Sequence, residues 1–203
     1  LKGMTAEYLL RRTYQVKAGD TILFHAAAGG VGLIMCQWAK LLGATVIGCV
    51  GSEEKAELVK ANGCDHPILY RDESVSERVK EITDGEGVPV VYDSIGKSTF
   101  MDSLDCLRPE GVMTTFGNAT GPVEPFPMGI LAAKGSLYVT RPTLATHTAT
   151  RELLDECAGA VFDVVQGGQV KINVNQTRPL AETVQAHIDL EARKTTGSTV
   201  LLP

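Results

Sequence analysis

Eight consecutive residues, His25-Ala26-Ala27-Ala28-Gly29-Gly30-Val31-Gly32, carry the densest chemical signal in the chain. Their spacing, Ala26-x-x-Gly29-x-x-Gly32, is a variant of the glycine-rich turn that binds dinucleotides. Small side chains let a backbone approach a diphosphate, and a helix opening there offers free N–H donors and positive potential. On its own such a turn also serves plain helix–strand packing. A second group of residues bears on which dinucleotide would bind. NAD-binding folds place Asp or Glu at the end of the second strand, to hold the ribose 2′-OH. Here the apolar run Thr45 to Val50 is followed by Gly51-Ser52, with no acid, and Lys55 comes one helical turn later. An ammonium and a hydroxyl suit a 2′-phosphate, and Tyr70 and Arg71 add a ring and a further charge. Ser52 also reads as a helix cap, with Glu53 and Glu54 in the first turn, but a capped helix still offers Lys55 to a ligand. The sequence therefore predicts NADPH in preference to NADH.

No acid–base pair stands out, and no catalytic residue is assigned. His25, His66, His147 and His187 are dispersed; His25, on the first strand, reads as a satisfied core histidine. Asp93, at a strand end, reads as the cap of a neighbouring loop. Cys36, Cys49, Cys64, Cys106 and Cys157 are odd in number, and no two have C-x-x-C spacing. That excludes a zinc ribbon or a thioredoxin-like pair and predicts no metal site. The reading is buried free thiols in a reducing compartment, hence a cytoplasmic protein.

Positioning these groups needs a sheet. Thr21 to His25, Thr45 to Val50, His66 to Tyr70, Val88 to Asp93, Gly111 to Gly117 and Ser136 to Thr140 read as strands. Helices are predicted at Gly29 to Leu42, Glu53 to Ala61, Ser76 to Thr83, Thr99 to Leu107 and, within a Pro-rich connection, Pro125 to Ala133. Continuous apolar runs such as Thr45 to Val50 are typical of parallel strands buried on both faces. The alternation predicts an α/β fold with a doubly wound parallel (Rossmann) sheet of about six strands in order 3-2-1-4-5-6. Beyond it, Thr150 to Gln166 and Leu180 to Ala192 read as helices, Val170 to Val174 alternates, and Ser198 to Leu202 reads as a terminal strand without an obvious partner.

The composition suits such a domain. The 203 residues are 44% hydrophobic and 21% charged, enough apolar surface to offset chain entropy. No apolar run approaches the roughly 20 residues that span a bilayer. A net charge of -5 and an aromatic content of 5% argue against nucleic-acid binding.

The turn and the run after it, Leu33-Ile34-Met35-Cys36-Gln37-Trp38-Ala39-Lys40, resemble the zinc-free quinone oxidoreductases of the medium-chain dehydrogenase/reductase superfamily, the ζ-crystallin-like NADPH:quinone reductases. Val90-Val91-Tyr92-Asp93-Ser94-Ile95-Gly96, Phe116-Gly117-Asn118 and Gly135 to Pro142 extend the likeness over essentially the whole chain. The resemblance implies that Gly29, Gly30 and Val31 face the pyrophosphate and that Ser52, Lys55 and Tyr70 face the adenosine 2′-phosphate. It implies that Ser94 lies near the ribose and adenine side, that Phe116, Gly117 and Asn118 line the cleft, and that Leu137, Tyr138 and Val139 approach the nicotinamide. Arg193 matches a cofactor-contacting arginine.

The family has an N-terminal GroES-like catalytic domain, to which the chain end returns. The implied organisation is an NADP-binding Rossmann domain with its leading helix over residues 1–165, a C-terminal segment over 166–203, and the GroES-like domain absent. The implied activity is hydride transfer from NADPH to a quinone or an activated alkene by the full-length protein, this chain alone being inactive. A homodimer joined through the Ser136 to Thr140 edge strand is also implied. A non-catalytic NADPH-binding sensor or scaffold shares every cofactor residue and stays open at this point.

Overall fold

Alternating apolar runs and amphipathic stretches produce the fold that their periodicity predicts. The computed structural model describes residues 1–203. Strands β1 (Thr21–Phe24), β2 (Thr45–Val50), β3 (His66–Leu69), β4 (Val88–Asp93), β5 (Leu107–Thr115) and β6 (Tyr138–Thr140) form one parallel sheet in the order β3-β2-β1-β4-β5-β6. Side chains alternate between its faces. Phe24 and Tyr92 join one core with Met35 and Trp38, whereas Leu23 and Val91 join a second core with Met113 and Leu104. Helices α1 (Lys2–Tyr8), α2 (Gly32–Leu41), α3 (Glu53–Lys60) and a later long helix cover the first face; α4 (Val75–Ile82), α5 (Phe100–Asp105) and α6 (Gly129–Ala133) cover the second.

A π-helical turn, Leu9–Thr13, continues α1 and is anchored to the sheet by the Tyr92 hydroxyl, which donates to the Leu9 carbonyl at 3.1 Å. α7 (Leu144–His147) is a short helix that the periodicity does not predict, and α8 (Arg151–Gln166) is the long one, capped by Thr150. Glu7, buried in α1, accepts from both Arg12 Nε and the Cys157 thiol of α8, which locks the leading helix in place. Burial and that carboxylate push the Cys157 thiol up to about 12. All five cysteines are free and buried.

The tail departs from expectation. Val170 to Val174 is not a strand. Instead β7 (Gln176–Pro179) pairs in parallel with β8 (Thr199–Leu202), and α9 (Thr183–Glu191) crosses between them. The segment Gln176-Thr177-Arg178-Pro179 is polar and ends in proline, so nothing in its pattern marks a strand. Other boundaries shift too: α6 begins at Gly129 and not Pro125, and β6 at Tyr138 and not Ser136. α2 begins at Gly32, leaving Gly29 to Val31 in the turn, and α5 stops at Asp105 so that β5 starts at Leu107.

Candidate cofactor-binding site

The C-terminal ends of the strands converge on the turn after β1. His25 N–H still donates to the Tyr92 carbonyl, and the chain then reverses through Ala26 at φ +56°. A left-handed alanine is a strained choice, held here by Ala27 N–H on the Cys49 carbonyl and Gly29 N–H on the Ala26 carbonyl. The N–H groups of Val31 and Gly32 donate to no backbone carbonyl, so two donors at the head of α2 are left without a backbone partner. At Gly32 a Cβ would lie 2.6 Å from the Ala26 oxygen and still closer to that of Ala27. The turn is therefore a tight backbone cradle with no room for a side chain at Gly32, and its unpaired N–H donors suit a diphosphate.

At the end of β2, Ser52 Oγ accepts the Lys55 N–H as the cap of α3. Lys55 Nζ donates to the Arg193 carbonyl at 2.7 Å, and Arg193 Nη1 reaches the Tyr70 hydroxyl at 3.4 Å. Gly51 makes this approach possible, since a Cβ there would lie 2.7 Å from the Tyr70 oxygen. Ser52, Lys55, Tyr70 and Arg193 are thus one cluster, and both cations engage neutral oxygens there. Such a pair, presented by an exposed arginine and a half-buried lysine, suits a phosphate dianion.

On the other side of the switch point the loops after β4 and β5 are laced together. Ala119 N–H donates to the Ser94 carbonyl, and Gly117 packs with its Cα hydrogens against Ser94, where a Cβ would lie 2.8 Å from the Ser94 Cα. Phe116 stacks in a tilted arrangement on Phe24, with centroids 5.9 Å apart, and Asn118 is exposed. At the sheet edge, Leu137 is turned into the core, Val139 is half-buried and Tyr138 is 61% exposed. The structure thus gathers the turn and the Ser52–Arg193 cluster at one strand end. Ser94, Phe116, Gly117 and Asn118 form a second wall, and Leu137 to Val139 lie further out along the sheet.

Beneath this surface sits a network that sequence reasoning resolved only in part. Asp93 is fully buried and caps the following loop, accepting from the N–H groups of Ile95 and Gly96. Its other oxygen accepts from Thr99 and Ser103, and the Ser103 hydroxyl lies 2.9 Å from His25 Nε2. Burial holds the His25 imidazole below the usual histidine pKa, against the pull of Asp93 and Asp102. His25 is therefore a neutral, hydrogen-bonded core residue. Ser103 and Gly51 carried no signal that marked them in advance.

A cavity of about 270 Å³ beside Thr21 and Pro89 lies at the opposite end of the strands, among polar groups including Asp20, Asp84, Glu86 and Arg108. It does not adjoin the turn. No group of three His, Cys, Asp or Glu side chains could hold a metal ion.

The sequence matches the family described as "Zinc-binding dehydrogenase" over residues 30–159. The chain belongs to that family. Its quinone oxidoreductase relative from Pseudomonas aeruginosa is 55% identical over 203 residues, covering 100% of this chain and 62% of that protein. The 2-haloacrylate reductase of a Burkholderia species is 50% identical over 204 residues, covering 100% of this chain and 61% of that one. The crystal structure of Escherichia coli quinone oxidoreductase complexed with NADPH superposes with a TM-score of 0.97 at 51% identity, over 100% of this chain and 63% of that chain. The chain thus spans about 62% of the length of the curated relatives it matches.

Proposed function

We propose that this chain is the NADPH-binding part of a reductase that passes hydride to a quinone or another electron-poor alkene. The observation that carries this reading is the Ser52, Lys55, Tyr70 and Arg193 cluster, which stands where an NAD-binding fold would place a carboxylate. In this reading Gly29, Gly30 and Val31 hold the diphosphate, and the cluster holds the adenosine 2′-phosphate. Ser94, Phe116, Gly117 and Asn118 line the cleft, and Leu137, Tyr138 and Val139 border the nicotinamide. The bound dinucleotide supplies the hydride from its nicotinamide C4. The chain's own residues bind and orient; a reduced quinone oxygen takes its proton from solvent, so no side-chain acid is assigned. Quinones and 2-haloacrylates, the compounds named for the relatives, share an electron-poor double bond conjugated to a carbonyl group. Residues 1–165 form the nucleotide-binding domain in this reading, and residues 166–203 return towards the substrate-binding part of a longer, cytoplasmic protein.

Calorimetric titration tests the assignment. NADPH is expected to bind at least about tenfold more tightly than NADH, because a 2′-phosphate gains charge-assisted hydrogen bonds. Lys55→Ala should erase most of that preference. Equal affinities for the two dinucleotides in the unaltered chain would remove the 2′-phosphate assignment. NADPH consumption that depends on an added quinone, measured on the full-length protein, separates a reductase from a sensor.

Edge strand β6 further supports a two-fold dimer in which the two sheets join. It leaves Tyr138 exposed and its outer backbone groups unpaired within the chain. Sedimentation velocity should show a dimer that Val139→Pro dissociates. A monomer at high concentration would eliminate the edge-to-edge arrangement.

A further inference from the structure

We infer that Lys2 is a further cofactor-binding residue, its ammonium placed to pair with the diphosphate of a dinucleotide held at the turn; this rests on the NADPH reading above. Three segments far apart in sequence meet here. The first turn of α1 lays the Lys2 side chain across Gly30, so that a Cβ on Gly30 would lie 2.6 Å from both its Cδ and its Nζ. Gly30 is thus the gap that the lysine stem occupies. Lys2 Nζ donates to Ser198 Oγ at 2.6 Å, and this links residues 196 apart. Ser198 is fixed in turn by Gly197, whose N–H donates to the Ala28 carbonyl at 2.8 Å and which bridges Gly29.

The hydrogen-bond partner of this ammonium is a neutral hydroxyl, so its charge is free to meet an anion. It lies on the same turn as the unbonded N–H groups of Val31 and Gly32. A cation and helix-terminal donors at one turn suit an extended, doubly charged group. The tail then reads the ligand twice, through Arg193 at one anion and through Ser198 and Lys2 at the other.

The test compares two ligands. Adenosine 2′-monophosphate keeps the 2′-phosphate but lacks the diphosphate. Lys2→Met is expected to raise the Kd for NADPH about tenfold or more, since one charge-assisted contact is removed. It should leave adenosine 2′-monophosphate binding unchanged, and Lys2→Arg should retain most of the NADPH affinity. Lys2→Gln replaces the Met variant if circular dichroism shows misfolding. Unchanged NADPH affinity in the neutral variant overturns the role of Lys2 and leaves the NADPH reading standing. Equal weakening of both ligands, or an Arg variant as weak as the Met variant, also overturns it. Failure of the unaltered chain to bind NADPH overturns both.

Discussion

Asp93→Ala is expected to destabilise the chain by about 3 kcal/mol, because it strips buried donors of their acceptor. The carboxylate is wholly buried at the end of β4 and takes four hydrogen bonds, from Ile95 N–H at 2.6 Å, Gly96 N–H at 3.1 Å, Thr99 Oγ1 at 2.7 Å and Ser103 Oγ at 3.0 Å. The hydroxyls have second partners: Thr99 also reaches the Gly96 carbonyl, and Ser103 reaches His25. The two N–H groups have none, and they dominate the loss. They also set the loop in which Gly96 adopts φ +89° and Ser94 meets Gly117, so the cleft wall should loosen and NADPH affinity should fall with stability. Asn at this position keeps one acceptor for the N–H groups and turns an amide towards hydroxyls that can rotate to accept it. Its variant should therefore be intermediate. Urea denaturation followed by circular dichroism reads all three proteins. An Ala variant within about 0.5 kcal/mol of the native chain, the scale of an ordinary surface change, would show that the network does not hold the loop.

Gly32→Ala is expected to weaken NADPH binding about a hundredfold, as the turn opens and two charge-assisted contacts are lost. The added Cβ meets backbone only: the Ala26 oxygen and the Ala27 carbonyl carbon at 2.6 Å, and the Ala27 oxygen closer still. Nothing there can rotate away, so the cradle itself must move, at a cost of about 1–3 kcal/mol in stability. Gly30→Ala is the control. Its Cβ meets the flexible end of Lys2, which can swing aside, so stability should hardly change while NADPH affinity still falls. Thermal melts and calorimetry on the two variants separate the effects. A Gly32 variant that melts and binds like the unaltered chain would mean that the turn is not the cradle.

Much of this was legible in one dimension. Fully buried parallel strands such as Val88–Asp93 announce themselves as apolar runs, and helices between them as amphipathic stretches closed by Gly43 or Gly63. Sheet order followed from handed crossovers, and the order found is the one expected. The glycine turn was readable because its demands are local: small residues, a strand before and a helix after. Lys55 and Tyr70 were readable as neighbours of strand ends.

Other features depended on closure of the chain in space. β7 is a polar segment with no alternating pattern, and it becomes a strand only because β8 lies beside it. Arg193 meets Tyr70 across 123 residues, and Lys2 meets Ser198 across 196. Gly51 looks like an ordinary loop glycine until the Tyr70 ring that occupies the space of its missing side chain is in view, and the glycine turn does not show that Gly30 makes room for the Lys2 stem. By itself, then, the sequence determined the sheet, its helices and the turn, because backbone periodicity and steric allowance act over a few neighbouring residues. Only the tertiary structure decided which distant charges share one site, because that pairing is set by where the packed core brings the strand ends and the tail together.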